Sequence, residues 1–298
     1  MAPEIITVGI DGSPESLVAA QWAADEADRR QWVLRLLHAW ILLAAQGPDT
    51  PPDRDRNAVA RQIVRQALDA VHQRHPQLQA IEDLVGSEAE PALLRAAGES
   101  QMLVLGSRAV GAWESYVLGD VSLDVVGRAE GPVVLVRAPR TAPPRDPVGA
   151  EAPPVAREPR IVLGMSLRAP CERLLAFAFD AAAGRGIPLA AVHGRPLPLH
   201  AYAPWGVDPD VAADVVKEAD AELRAALRPW RERFPDVAVQ MTVLPENPAR
   251  ALVQTAPGAE LLVVGRRPHS RAPAPRVGAV AHAAIHHVTC PVAVVPHD

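Results

Sequence analysis

Ile5-Ile-Thr-Val-Gly-Ile-Asp-Gly-Ser-Pro14 is the stretch that decides the fold. A short β-branched apolar run stops at a small polar loop and gives way to an amphipathic helical pattern, as a buried strand does when it feeds a crossover helix. The same arrangement returns at Ile161-Val-Leu-Gly-Met165. Gly9 aligns with Gly164, Trp22 with Phe177 and His38 with His193, all at a constant offset of 155 residues. Farther along, Leu103-Val-Leu-Gly106 matches Leu262-Val-Val-Gly265, Gly119 matches Gly278, and Pro132-Val-Val-Leu-Val136 matches Pro291-Val-Ala-Val-Val295, now at an offset of 159. An insertion of four residues between the two blocks accounts for the change. A self-similarity of this kind means one supersecondary plan used twice.

Within the first copy, β-branched runs near residues 5–10, 33–39, 78–84, 102–106 and 132–137 alternate with helical patterns. That alternation predicts an α/β fold with right-handed crossovers and a parallel sheet covered on both faces. Between the copies, Ala138 to Pro159 holds seven prolines in 22 residues and shows no apolar periodicity. It reads as a semi-extended linker. The expected organisation is a domain over residues 1–138, a Pro-rich linker over 139–159 and a second domain over 160–298.

Composition narrows the function classes. Apolar residues make up 49% of the 298 and charged residues 22%, enough to bury two cores. A net charge of −5 gives no broad positive field for nucleic acid or anionic lipid, so neither is expected as a partner. Two cysteines, Cys171 and Cys290, are too few for a disulfide framework and suit a reducing compartment. The first residues carry no basic segment of the signal-peptide kind, and no apolar run approaches a membrane span. The expected location is the cytoplasm.

Doubly wound sheets bind ligands beyond the carboxyl ends of their strands. There the first copy carries Val8-Gly-Ile-Asp-Gly-Ser-Pro14 and Gly106-Ser-Arg-Ala-Val-Gly-Ala-Trp-Glu-Ser-Tyr-Val-Leu-Gly119-Asp-Val-Ser122. Together with His-His-x-x-Cys-Pro-Val at His286 to Val292, these stretches resemble the universal stress protein family across both halves. The resemblance implies two tandem doubly wound five-stranded parallel sheets, like those of the adenine nucleotide alpha hydrolases, with strand order 3-2-1-4-5 in each. Nucleotide-binding members carry an aspartate after the first strand and, after the fourth, Gly, two residues, Gly, nine residues, Gly, then Ser or Thr. Glycines let the backbone approach phosphate oxygens, and the helix amino terminus that follows favours their charge. Carried over by position, the pattern counts Gly9, Ile10, Asp11 and Ala39 as nucleotide-binding, with Asp11 and the backbone of Ala39 on the adenosine. It places Gly106, Ser107, Arg108, Gly119, Val121 and Ser122 near the phosphates.

Two positions depart from the pattern. Ala109 stands where the second motif glycine belongs, and Asp120 stands in place of the hydroxyl residue. A carboxylate about 4 Å from a phosphate charge is repelled by roughly 4 kcal/mol at an effective dielectric near 20, about a thousandfold in affinity. Arg108 or a bound Mg²⁺ could supply the countercharge. Asp120 also reads as the N-cap of the fourth helix, and Asp11 as an Asx-turn residue in Asp-Gly-Ser-Pro. The second copy has Ser166 and Leu167 for the Asp-Gly pair, Pro268 for the inner glycine and Ala279 after Gly278, so family-style ATP binding is not expected there. Its loop Arg266 to Arg276 is basic, and reads either as an anion or partner site or as a solvated loop.

The remaining signals are structural. His282, His286 and His287 have helical spacing without a nearby acid or thiol to complete a metal set, so no metal site is expected. His38 and His193 read as packed, hydrogen-bonded histidines, and Trp22, Trp32 and Trp40 as packing residues, while Trp113 and Tyr116 sit in the phosphate loop. No nucleophile elbow or paired-carboxylate cluster appears, so no catalytic residue is assigned and ATP hydrolysis, if any, is slow. The sequence thus points to a stress-response regulator holding ATP in its first domain. The alternative is an interaction or scaffold protein with both pockets decayed. The resemblance also implies pairing through the last strand, hence a homodimer, with an unidentified protein partner.

Overall fold

The computed structural model describes residues 3–40, 53–107, 120–138, 158–168, 171–203, 206–267 and 277–297. The chain divides into two compact units, Met1–Pro139 and Arg140–Asp298. The first contains β1 (Ile5–Gly9), α1 (Pro14–Arg30), β2 (Val33–Ala39), α2 (Asp53–Arg74), β3 (Ala80–Val85), α3 (Ala89–Glu99), β4 (Met102–Ser107), α4 (Asp120–Arg128) and β5 (Val133–Arg137). Its sheet runs β3-β2-β1-β4-β5, with every pairing parallel. The strands follow the apolar runs of the sequence closely, with β3 starting two residues later than expected.

The second unit repeats the plan with β6 (Arg160–Gly164), α5 (Glu172–Arg185), β7 (Leu189–Gly194), β8 (Tyr202–Ala203), β9 (Gly206–Val207), α6 (Pro209–Arg233), β10 (Val239–Leu244), α7 (Pro248–Thr255), β11 (Ala259–Arg266), α8 (Ala279–His287) and β12 (Val292–Pro296). The order β10-β7-β6-β11-β12 is again 3-2-1-4-5, and all of it is parallel. One feature was not legible in the sequence. The connection from β7 to α6 carries the two-residue antiparallel pair β8–β9, and Gly206 there adopts φ +135, a conformation open chiefly to glycine. The Pro-rich segment lies largely outside the described residues.

The central strands are apolar on both faces because helices cover both. Ile6, Val8, Leu34, Leu36, Leu103 and Leu135 are all but fully buried in the first sheet. α1 presents Ala19, Ala20, Ala23, Ala24 and Ala27 inward, and side chains this short let the helix axis come close to the sheet. At the amino end of α1 the approach is closest. A Cβ on Gly106 would stand 2.5 Å from the Glu15 carbonyl carbon and 2.7 Å from the Ser16 nitrogen, both main-chain atoms. The expected packing tryptophans are half-buried, and the Arg30 guanidinium lies 4.8 Å above the Trp32 ring.

Gly106→Ala is therefore expected to lower the unfolding midpoint of the first unit by the equivalent of about 1–3 kcal/mol, the usual cost of overpacking. Gly98→Ala, on the exposed side of α3 with nothing within 4 Å of the added methyl, should instead be neutral or stabilising. Thermal unfolding of the two variants side by side checks the contrast.

Candidate functional site

In the first unit, parallel pairing of β2, β1 and β4 brings three strand ends to one edge, since Gly9 pairs with Leu37 and Val8 with Val104. Gly9, Ile10 and Asp11 follow β1, Ala39 ends β2, Gly106 and Ser107 end β4, and Val121 and Ser122 lie in the first turn of α4. The structure thus gathers the described members of the expected set at one end of the sheet. Arg108, Ala109, Trp113, Tyr116 and Gly119 lie outside the described residues.

Individual groups refine the expectation. Asp11 Oδ1 accepts the Ser13 N–H at 2.9 Å and the Ser13 Oγ–H at 2.5 Å, so the carboxylate forms the Asx turn that leads into α1. Ser13 in turn caps the helix, its Oγ accepting the Ser16 N–H at 3.2 Å. Burial works to raise the Asp11 pKa, but hydrogen bonds from Ser13, Ser16 and its own backbone outweigh it and hold the carboxyl below the ordinary value. Ile10 engages both of its main-chain groups within the protein. Its N–H donates to Leu37 O at 2.8 Å, and its carbonyl accepts from His38 Nδ1 at 2.7 Å. His38 is thereby the packed histidine that the sequence suggested, and His193 Nδ1 makes the equivalent bond to Met165 O at 2.9 Å.

Ser107 differs from these. It is 4% exposed, and its Oγ has no hydrogen-bond partner among the described residues. A buried hydroxyl gains from a partner, so this group is open to a hydrogen bond from beyond the described residues. Asp120 opens α4, within one residue of the N-cap position that the sequence suggests for it.

At the equivalent edge of the second unit lies a cavity of about 840 Å³. It is reached from the ends of β6, β7 and β11 and from the first turn of α8. The sequence reading named Ser166, Leu167, Gly278 and Ala279 here as departures from the nucleotide pattern, and Arg266 with the neighbouring basic loop as an anion or partner site or a solvated loop. Arg266 is 6% exposed, and burial pulls its pKa below the usual guanidinium value. Arg168, Cys171, Arg195 and His297 join the lining, and the signal that could have found them was position at the strand ends rather than any motif. Residues 268–276 of the basic loop lie outside the described residues. The rings of His282 and His286 lie tilted at 42° with centroids 4.2 Å apart, and no group of three metal-ligating side chains occurs among the described residues.

Known proteins share both halves. The model of the universal stress protein family matches residues 3–137 and again 159–296. A universal stress protein of Mycobacterium tuberculosis is 34% identical over 298 residues, covering 97% of this chain and 96% of the relative. A second one from that organism is 32% identical over 324 residues, covering 98% and 96%. Among solved structures, a universal stress protein from Archaeoglobus fulgidus superposes over the whole of both chains with a TM-score of 0.68 at 15% identity, which shows a shared fold.

The Asp11 turn yields a signed pH dependence. A carboxyl whose folded pKa is depressed contributes stability above its unfolded value, 3.8 here, and that contribution is lost as pH falls through the folded value. Asp11→Asn should flatten the acid limb of the stability curve of the first unit. Ser13→Ala should lower stability at neutral pH by about 0.5–2 kcal/mol through the lost cap. Urea midpoints across the acid range check both.

Proposed function

Because this chain belongs to the universal stress protein family, with one family domain in each half, we propose that it is a stress-response regulator whose first unit binds adenine nucleotide as ATP. The observation that carries this reading is the convergence of Asp11, Ala39, Gly106, Ser107, Val121 and Ser122 at one sheet edge, with a buried Ser107 hydroxyl lacking a partner among the described residues. In this reading the Ser107 hydroxyl and the amides opening α4 meet the phosphates, Asp11 and the Ala39 backbone meet the adenosine, and Arg108 with Gly119 completes the phosphate loop. Arg108 or a Mg²⁺ offsets the charge of Asp120. Bound nucleotide biases a conformation or an assembly and so acts on a protein partner; the role is regulatory, without a residue assigned to position an attacking water. We place the action in the cytoplasm and in a homodimer; no helix of the described residues is long and apolar enough to cross a membrane.

A second reading has its own support. Asp11 Oδ1 is satisfied by Ser13, and Ile10 has both main-chain groups engaged, so two of the expected readers already serve the fold. If these contacts persist against ligand, the first unit is a scaffold and the protein works through surface contacts.

Calorimetry with ATP separates the two. Binding that is lost in Asp11→Ala and Gly119→Val and tightened at least about tenfold in Asp120→Ser, as relief of charge repulsion requires, supports the nucleotide regulator. Millimolar or weaker binding in every variant leaves the scaffold. Ser107→Ala gives a further split: ATP affinity falls, while the unliganded protein is as stable or slightly more stable, because an unsatisfied hydroxyl has been removed.

A further inference from the structure

The second unit lacks the nucleotide pattern and carries, at its strand ends, a cavity of different chemistry. α1 in the first unit starts at Pro14 and closes against Gly106. Its counterpart α5 starts at Glu172, which the 155-residue offset aligns with Leu17, three residues farther into the helix. Where a Cβ on Gly106 would meet helix backbone, a Cβ on Gly265 would meet only side chains, His297 Nε2 at 2.6 Å and Leu174 Cδ2 at 3.3 Å. About 840 Å³ is open at this edge of the second unit.

The walls of this cavity sort into two kinds. Met165, Leu174, Leu175, Val192 and Leu252 give it a largely apolar floor. The rest of the lining is strongly basic: Arg168, Arg195, Arg266 and Arg267 face a single carboxylate among the described lining residues, Glu222, which Arg195 Nη1 already holds at 3.3 Å. Two helices also open onto it by their amino ends. Cys171 is the N-cap of α5 and Gly278 that of α8; both line the cavity and neither makes a side-chain cap bond, whereas Ser13 caps α1 in the first unit. Uncapped helix starts leave amides for an anion and carry partial positive charge. Arg266, 6% exposed, brings a full positive charge to this lining, where an acidic group can make a charge-assisted contact.

We propose that the second unit is a separate binding site for an amphiphilic organic monoanion, with an apolar, ring-sized body on the Met165–Leu174–Leu252 floor and an acidic head group between Arg266 and the start of α8. Volume and lining suit a drug-sized small molecule. A triphosphate is disfavoured, because Pro268 removes an amide and Ser166 and Leu167 replace the Asp-Gly turn. The site is independent of ATP binding in the first unit.

Two fluorescent dyes that differ only in the acidic group provide the test: anilinonaphthalene sulfonate and its neutral parent, N-phenylnaphthylamine, titrated onto the full chain. The sulfonate is expected to bind one per chain and at least about tenfold more tightly than the neutral dye, as a charge-assisted contact requires. ATP should not displace it. Ala279→Asp adds a carboxylate where an acidic residue suits a helix start, so the fold should hold while sulfonate affinity drops at least about tenfold and neutral-dye binding stays unchanged. Arg266→Met should act in the same direction, with the thermal midpoint recorded to show that the second unit still folds. Equal binding of the two dyes, displacement by ATP, or an Ala279→Asp variant with unchanged sulfonate affinity would each overturn the proposal.

Discussion

The close approach of β4 to the first turn of α1 is the constraint on which the first unit's ligand edge depends. With only a hydrogen on Gly106, the Glu15 carbonyl and the Ser16 nitrogen settle against the strand, and no other residue fits. That contact fixes where α1 begins. The start of α1 in turn fixes Ser13 as its cap, and Ser13 holds the Asp11 carboxylate in a turn above the sheet. A glycine that the nucleotide pattern assigns to phosphate approach is thus required first by helix packing. Both demands fall on one atom, because the ligand edge of a parallel sheet is also where its crossover helices begin.

The two units share a scaffold and differ in what lies on it. His38 and His193 make the same bond, from Nδ1 to the carbonyl one residue past the preceding strand, across the same separation of 28 residues. That bond ties the first strand's exit to the second and is indifferent to ligand. Once it and the strand pairings are in place, the loops beyond can diverge. In the first unit the described edge carries a capped helix turn and an aspartate. In the second, the described part of the helix starts later and the edge is open, apolar and basic. A tandem arrangement lets one fold carry two surfaces of different chemistry.

Much of this was legible in the chain. Strands appear where β-branched runs do, because a strand covered on both faces must be apolar at every position. His38 and His193 read correctly as packed residues from their place at the end of an apolar run. Another feature was not legible. The β8–β9 pair depends on Gly206 at a positive φ within a segment that has no repeating pattern.

The sequence by itself determined the doubled α/β plan, the strand order implied by its family likeness, and which residues would stand at strand ends. The plan and the strand ends follow from periodicity and internal repetition, which are properties of the chain alone, and the order from the resemblance. Only the tertiary structure decided which of those strand-end groups are engaged. Asp11 and Ile10 are bound into the fold, the Ser107 hydroxyl is buried without a partner among the described residues, and Arg266 lies in the wall of a cavity. Satisfaction and enclosure depend on atoms brought together from distant segments, and no local pattern records them.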